Sequence, residues 1–213
     1  LGMVVPEEYG GTALGALGIA VVVEEIARFD GSLALTVASH NGLGTSHLLR
    51  FGSEALRKKY LPALAAGEKL AAWGLTEPGS GSDAASLRTT AVRRSDGHWV
   101  ISGEKLYCSQ AKSAGFLILA ARTNPHAVKQ EGISTFLIPN PGSNPAIELT
   151  RIETMGLGPV PTFSAHFRDL VLPPDARSGA ENKGWQCVLG GLDNERLYHG
   201  AIGVGASQAI IDE

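Results

Sequence analysis

Two stretches of this sequence carry residue types at spacings that chemistry can use. The first is Trp73-Gly74-Leu75-Thr76-Glu77-Pro78-Gly79-Ser80-Gly81-Ser82-Asp83, where an apolar run enters a loop of glycine and serine. Such a loop can turn several backbone N–H groups toward one anion, and a serine hydroxyl adds a further donor. It lacks the Lys-Ser/Thr ending of a P-loop. It also lacks the G-x-G-x-x-G spacing and following helix of a dinucleotide fold. Taken by itself, its plainer reading is a surface turn. The second stretch is Leu192-Asp193-Asn194-Glu195-Arg196-Leu197. On a helix Asp193 and Arg196 share a face, whereas Glu195 points elsewhere and comes within i+4 reach of His199. Its plainer reading is an exposed helix laced with ion pairs. Other reactive side chains are scattered. Cys108 and Cys187 sit in no C-x-x-C or Cys/His metal spacing. His40, His47, His126 and His166 show no metal-ligand spacing, and His47 reads as packing or capping within its helix.

The elements that must position these residues change character along the chain. The first part reads helical. Pro6 to Gly11 is a loop, and Thr12 is the expected N-cap of a helix carrying Leu14, Leu17, Val21 and Glu24-Glu25, which Asp30-Gly31 ends. A second apolar segment runs from Ser32 to Arg50 and stops at Gly52. Ser53-Glu54 opens a third helix, which Pro62 should kink or shorten. Near Leu70 short β-type runs begin, separated by turn residues. Leu87–Arg94 and His98–Ser102 flank Ser95-Asp96-Gly97, a hairpin signal. Phe116–Ala121 and Ser134–Ile138 read as buried strands, with Ile147–Ile152 and Phe163–Phe167 as two more. Strands do not alternate with long helices, so a small antiparallel barrel or sandwich fits better than a parallel sheet. From Lys183 the helical period returns, with Trp185, Val188, Leu189 and Leu192 on one face.

Composition narrows the function classes. Hydrophobic residues make up 44% of the 213, charged residues 18%, and the net charge is −3. That is enough apolar material for a sizeable core, and no basic field is present to hold nucleic acid. Two cysteines in a chain of this length suit a reducing compartment better than a disulfide scaffold. The apolar runs Ile19–Val23 and Phe116–Ala121 fall well short of the ~20 residues of a membrane span. Leu1 in place of methionine, and a last helix with no Gly or Pro stop signal, suggest a piece of a longer chain.

The whole string Thr76-Glu77-Pro78-Gly79-Ser80-Gly81-Ser82-Asp83 resembles the T-E-P-x-A/S-G-S-D signature of acyl-CoA dehydrogenases. The likeness runs on, collinearly, through Lys58 to Glu68, Ile101 to Ser109, Gly132 to Ile138 and Met155 to Gly158. It implies an α+β multidomain chain. Residues 1–69 would form an N-terminal helical domain truncated at its start, and 70–178 a middle antiparallel β-barrel or sandwich that binds FAD. Residues 179–213 would be the first helix of a C-terminal α-helical bundle. By resemblance Trp73, Leu75, Thr76, Gly81 and Ser82 bind the cofactor, and Ser82 also lies along the acyl-CoA. Tyr107 and Ser109 stand where the family usually has Trp and Thr, covering the flavin and offering a hydroxyl to N5. Tyrosine is still a flat aromatic, and serine keeps the donor. The other reading of Tyr107 is a plain core aromatic. Cys108 between them is expected to point the other way along the strand and pack as a small hydrophobe.

In the second stretch the family carries an Asp-x-x-Arg that meets substrate, here Asp193 and Arg196. Glu195-Arg196-Leu197 is similar to the isovaleryl branch, in which the catalytic glutamate sits on this helix. The alternative is a helix-surface glutamate, with the base in a later segment. The implied reaction is FAD-dependent α,β-dehydrogenation of a short or branched acyl-CoA. Electrons would pass to electron-transfer flavoprotein from a homodimer or homotetramer, located in a bacterial cytoplasm or, in a eukaryote, the mitochondrial matrix. Two rivals stand: an acyl-CoA oxidase or flavin monooxygenase on the same scaffold, and a non-catalytic flavin-binding relative.

Overall fold

The computed structural model describes all 213 residues, Leu1–Glu213. The chain forms two compact units. One comprises Leu1–Ala71, Glu153–Pro161 and Gly190–Glu213; the other comprises Ala72–Ile152 and Thr162–Leu189.

The first unit is helical. Helix α1 (Ala16–Ala27) buries Ile19, Ala20, Val23 and Ala27, a single stripe at helical spacing. It starts later than the sequence suggests, with Gly15 rather than Thr12 at its N-cap. The reason lies in where the backbone donors go. Thr12, Ala13 and Leu14 donate their N–H groups to Gly2, Val5 and Met3, so this stretch is tied down as loop before the helix begins. Asp30 follows α1 and caps the next helix, α2 (Gly31–Ser39), accepting from the N–H groups of Ser32 at 2.8 Å and Leu33 at 3.0 Å. Such a cap contributes about 1 kcal/mol.

The expected second helix is not regular. After α2 the chain takes one wide π turn, His40–Thr45, before α3 (Ser46–Phe51). Two causes are visible. The side chain of Asn41 reaches back to the Val37 carbonyl (2.9 Å) and accepts from the Val4 N–H (3.1 Å), which perturbs the i→i−4 ladder. Gly42 and Gly44 meet close neighbours, for a Cβ at Gly44 would stand 2.5 Å from that of Ala71. Helix α4 (Glu54–Ala65) is capped by Ser53 and runs through Pro62, ending at Ala65. The last helix, α5 (Gly184–Asp212), adds Tyr198 and Ala201 to the core made by α1 and α2. Each fully buried aliphatic side chain in such a core is worth about 1.5–3 kcal/mol. No helix is long and apolar enough to cross a membrane.

The second unit is built on a mixed sheet. Its strands are β1 (Ala71–Gly74), β2 (Thr90–Arg93), β3 (Trp99–Lys105), β4 (Phe116–Arg122), β5 (Ile133–Pro139), β6 (Ile147–Ile152), β7 (Thr162–Leu172) and β8 (Arg177–Ser178). They lie in the order β6-β7-β3-β2-β4-β5-β8, with β1 pairing β4. The β2–β3 hairpin forms around Ser95-Asp96-Gly97 as expected, with Gly97 at φ 86°. The strand expected from Leu87 begins only at Thr90, because the N–H groups of Leu87, Arg88 and Thr89 go to the Ala84 carbonyl and the Glu77 carboxylate rather than to a ladder. One contact departs from the antiparallel expectation: β2 meets β4 in parallel at Thr90 and Arg122. Arg122 makes this junction. Its N–H donates to Thr89, and its guanidinium donates to the carbonyls of Ala85, Leu87, Lys129 and Glu131. A rigid fork of five donors suits such a gathering of loop carbonyls. The core beneath joins Trp99, Ile101, Leu117, Leu119, Phe136, Phe163 and Phe167, with the Trp99 and Phe136 rings edge-on at 5.1 Å.

Burial sets a pH response in the helical unit. His40 donates from Nε2 to Leu64 O and accepts the Ala71 N–H at Nδ1, which fixes the neutral tautomer. Burial pushes His40 down to about 4 and His47 down to about 3, from an ordinary 6.5. The unfolded chain therefore takes up these protons first. The stability the two residues contribute is complete above pH 6.5 and is lost as pH falls toward 4 and then 3, at about 1.4 kcal/mol per pH unit for each histidine. Urea midpoints followed by far-UV circular dichroism should fall steadily from pH 6.5 to 4.5. The His47→Leu variant should show about half the slope; an unchanged slope would mean that His47 is not the group being charged.

Candidate active site

Strand β1 leads directly into the glycine-serine loop. Trp73 and Thr76 are half-buried on the way in, and Leu75 is buried. Glu77 then turns inward to 7% exposure and meets Lys105, which is fully buried at the end of β3. The Lys105 ammonium donates to Glu77 Oε1 at 2.7 Å and to the Leu75 carbonyl at 2.9 Å. The carboxylate also accepts the N–H groups of Arg88 (2.6 Å) and Thr89 (2.9 Å). Burial alone would push the Glu77 carboxyl up, but Lys105 and the two N–H groups hold it below its ordinary value. Burial draws Lys105 down, with Glu77 opposing. A carboxylate with three donors stays ionised, and the pair is ionic.

This arrangement changes the reading of the loop. Glu77 and Ser80 exchange backbone hydrogen bonds at 3.0 and 3.1 Å, and the Ser80 hydroxyl donates to Asp83 O. Those three donors are committed within the loop. Pro78, Gly79, Gly81 and Ser82 face outward. A Cβ on Gly81 would find nothing within 4 Å. Asp83 closes the loop on Lys129 (2.6 Å) and Ser86 (2.6 Å), which hold its carboxyl below the usual range.

The Tyr107 region also departs from expectation. The strand thought to run from Ile101 to Ser109 stops at Lys105. Leu106 N–H donates to Thr76 O at 2.7 Å and Cys108 N–H to Phe163 O at 2.8 Å, so two donors leave the ladder direction. Tyr107 sits between them in the left-handed region, at φ 57°, and is 60% exposed. It is not a core aromatic. The Leu106–Thr76 bond brings the Tyr107 segment beside the loop. The Ser109 hydroxyl lies 3.3 Å from that of Thr162. Cys108 is buried, and burial pushes its thiol up to about 12, which leaves it inert.

Glu195 lies on α5, in the helical unit. Its side chain is only 15% exposed. Oε1 accepts from the Ser39 hydroxyl at 2.9 Å, and Oε2 is buried without a partner. The expected pairing with His199 is present but long, at 3.5 Å; His199 Nδ1 lies nearer the Glu195 carbonyl, at 2.9 Å. Burial pushes the Glu195 carboxyl up, with His199 and Ser39 opposing. The surface-glutamate alternative does not describe a carboxyl in this setting. Asp193 and Arg196 do share a face, paired at 2.9 Å and both exposed.

Residues 1–68 match the acyl-CoA dehydrogenase N-terminal domain and residues 72–170 the acyl-CoA dehydrogenase middle domain. The chain belongs to the acyl-CoA dehydrogenase family. It is 37% identical to the mitochondrial isovaleryl-CoA dehydrogenase of Oryza sativa subsp. japonica, over 99% of this chain and 51% of that protein. The solved complex of glutaryl-coenzyme A dehydrogenase with glutaryl-CoA superposes with a TM-score of 0.94 at 37% identity, over 99% of this chain and 53% of that one. An acyl-CoA dehydrogenase from Bacillus anthracis, solved with FAD, superposes with a TM-score of 0.87 at 35% identity, over 96% and 34%. The chain thus spans about half the length of the curated relatives it matches.

Sequence reasoning assigned no role to Ser39, Glu77 or Lys105. A signal existed for Lys105. It has the same parity along β3 as buried Trp99 and Ile101, and a lysine on an inward face requires a carboxylate. Ser39 lies 156 residues from Glu195, and no local pattern announces it.

Breaking the buried pair on one side should be costly. Glu77→Ala strands the Lys105 ammonium in the core and is expected to destabilise the protein by about 3–5 kcal/mol. The Glu77→Leu/Lys105→Met double variant should recover most of that loss. Thermal and urea unfolding of the two variants check this, and equal losses in both would show that the ammonium is not the cause.

Proposed function

We propose that this chain is part of an FAD-dependent acyl-CoA dehydrogenase, which takes the α-proton and β-hydride from a short or branched acyl thioester and releases the trans-2-enoyl thioester. The observation that carries the reading is Glu195. It is a buried carboxyl whose one oxygen is held by Ser39 and whose other is unpartnered, on the helix where the isovaleryl branch keeps its base. The α C–H of a thioester is a weak acid and an ordinary carboxylate a weak base. Burial narrows that gap by raising the basicity of Glu195.

The residues of the β-unit fit a flat cofactor with a polar edge and a phosphate tail. Tyr107 presents an exposed ring from the segment that Leu106 ties to Thr76, Ser109 offers a hydroxyl, and Gly81 and Ser82 lie open on the loop. Trp73, Leu75, Thr76, Tyr107 and Ser109 would hold the ring, and Gly81 and Ser82 the pyrophosphate side. Bound FAD would supply the acceptor for the hydride from Cβ. Ser82, Asp193 and Arg196 would hold the acyl-CoA, and Glu195 would take the α-proton. Electrons would leave to an electron-transfer flavoprotein from a dimeric or tetrameric enzyme. The isovaleryl-CoA dehydrogenase among the relatives motivates the short, branched substrate.

The test is anaerobic. The longest form of the chain that holds FAD is mixed with isovaleryl-CoA, and the visible flavin absorbance is followed. Rapid bleaching is expected, and Glu195→Gln should slow it by about 10²–10⁴-fold. The Thr76→Ala/Ser82→Ala variant should lose flavin; wild-type flavin content there would sink the cofactor assignment. Bound flavin that no thioester reduces would favour a non-catalytic relative.

A further inference from the structure

We infer that Ser39 is a positioning residue for Glu195, holding one carboxylate oxygen so that the other is presented as the base. The inference rests on the reading of Glu195 above, and three observations of this chain carry it. Ser39 is the last residue of α2, and its hydroxyl donates to Glu195 Oε1 at 2.9 Å. The π turn that follows places Gly42 against α5, where a Cβ would stand 3.2 Å from Glu195 Oε2 and 2.9 Å from the Tyr198 ring. Oε2 makes no hydrogen bond. The end of α2 and the wide turn thus form a seat. Ser39 grips one oxygen, and the missing side chain at Gly42 leaves room for the other. Wide turns of this kind are often found where a helix has been reshaped for function.

The charged and titratable groups around the carboxylate are few. His199 and Tyr198 come from α5 itself. From α3, Arg50 donates to the Gly190 carbonyl and acts on Tyr198. His40, next to Ser39, is neutral and committed to Leu64 and Ala71. His199 Nδ1 is nearer its own helix carbonyl than the carboxylate. The Ser39 hydroxyl is therefore the short donor that reaches Glu195 from another element. A donor to the ionised form favours that form. Its removal leaves Glu195 protonated to higher pH and free to turn.

The experiment compares wild type, Ser39→Ala and Ser39→Thr in the FAD-loaded form. In S39A the acid limb of the kcat/KM profile should move up by about one pH unit. The rate then falls about tenfold well below the limb and changes little well above it. S39T, which keeps the hydroxyl, should restore the limb. A second readout needs no turnover: the infrared carboxylate band assigned to Glu195 by its loss in E195Q should titrate at higher pH in S39A. An unmoved limb together with an unmoved band overturns the inference. If E195Q keeps full activity, the base assignment falls instead, and the infrared titration still decides whether Ser39 controls this carboxyl.

Discussion

A lysine ammonium sunk into a β-core must be answered by a carboxylate, and the β-unit is organised around that requirement. Lys105 occupies an inward position of β3 alongside Trp99 and Ile101. Glu77 can reach it only if the chain after β1 turns back on itself. That turn spends the Glu77 carboxylate on the N–H groups of Arg88 and Thr89, which places the segment leading into β2. It also leaves Pro78, Gly79, Gly81 and Ser82 as the outward arc. The exposed part of the loop therefore exists because its first residues are committed inside. A surface turn without the pair would have no reason to keep one shape, since an unpaired buried charge costs several kcal/mol and a satisfied one restricts the chain to few conformations.

The helical unit meets a related constraint with different means. Glu195 is a carboxyl in a poorly solvated place, where the Ser39 hydroxyl reaches it at 2.9 Å and the His199 ring stands farther off at 3.5 Å. Burial raises the proton affinity of the carboxyl, and these two partners oppose it only in part. The two glutamates thus show two outcomes of burial. Glu77, with an ammonium and two backbone donors, is held charged and serves structure. Glu195, with one neutral donor and one idle oxygen, is left basic. The difference lies in how many donors the fold brings to each side chain. Near Glu195 the fold uses an irregular helix: a π turn with glycines, whose backbone comes close to Tyr198 and Ala71 where a side chain could not fit.

The glycine-serine string and the Glu195-Arg196-Leu197 string were legible in the sequence because both are local, and so were the hairpin at Asp96-Gly97 and the buried strands β4 and β5. The helical period after Lys183 was legible too. Where the reading slipped, donors went to partners far along the chain. Thr12 has the right side chain for an N-cap, yet its N–H is taken by Gly2. Leu106 and Cys108 look like strand residues, yet they bond to Thr76 and Phe163 and swing Tyr107 outward. Arg122 appears in the sequence only as the end of an apolar run, yet it gathers four carbonyls and closes the parallel β2–β4 junction.

By itself, then, the sequence determined the order of elements, the two chemistry-bearing strings and the residue types on offer, because these depend on composition and on periods of two and 3.6 residues. Tertiary structure decided which of those groups are charged, which are held and which are free. It seated Lys105 on Glu77, set Ser39 against Glu195 and exposed Tyr107. Hydrogen-bond partners and burial fix the protonation and orientation of a side chain. Both come from residues distant in the chain that only folding brings together.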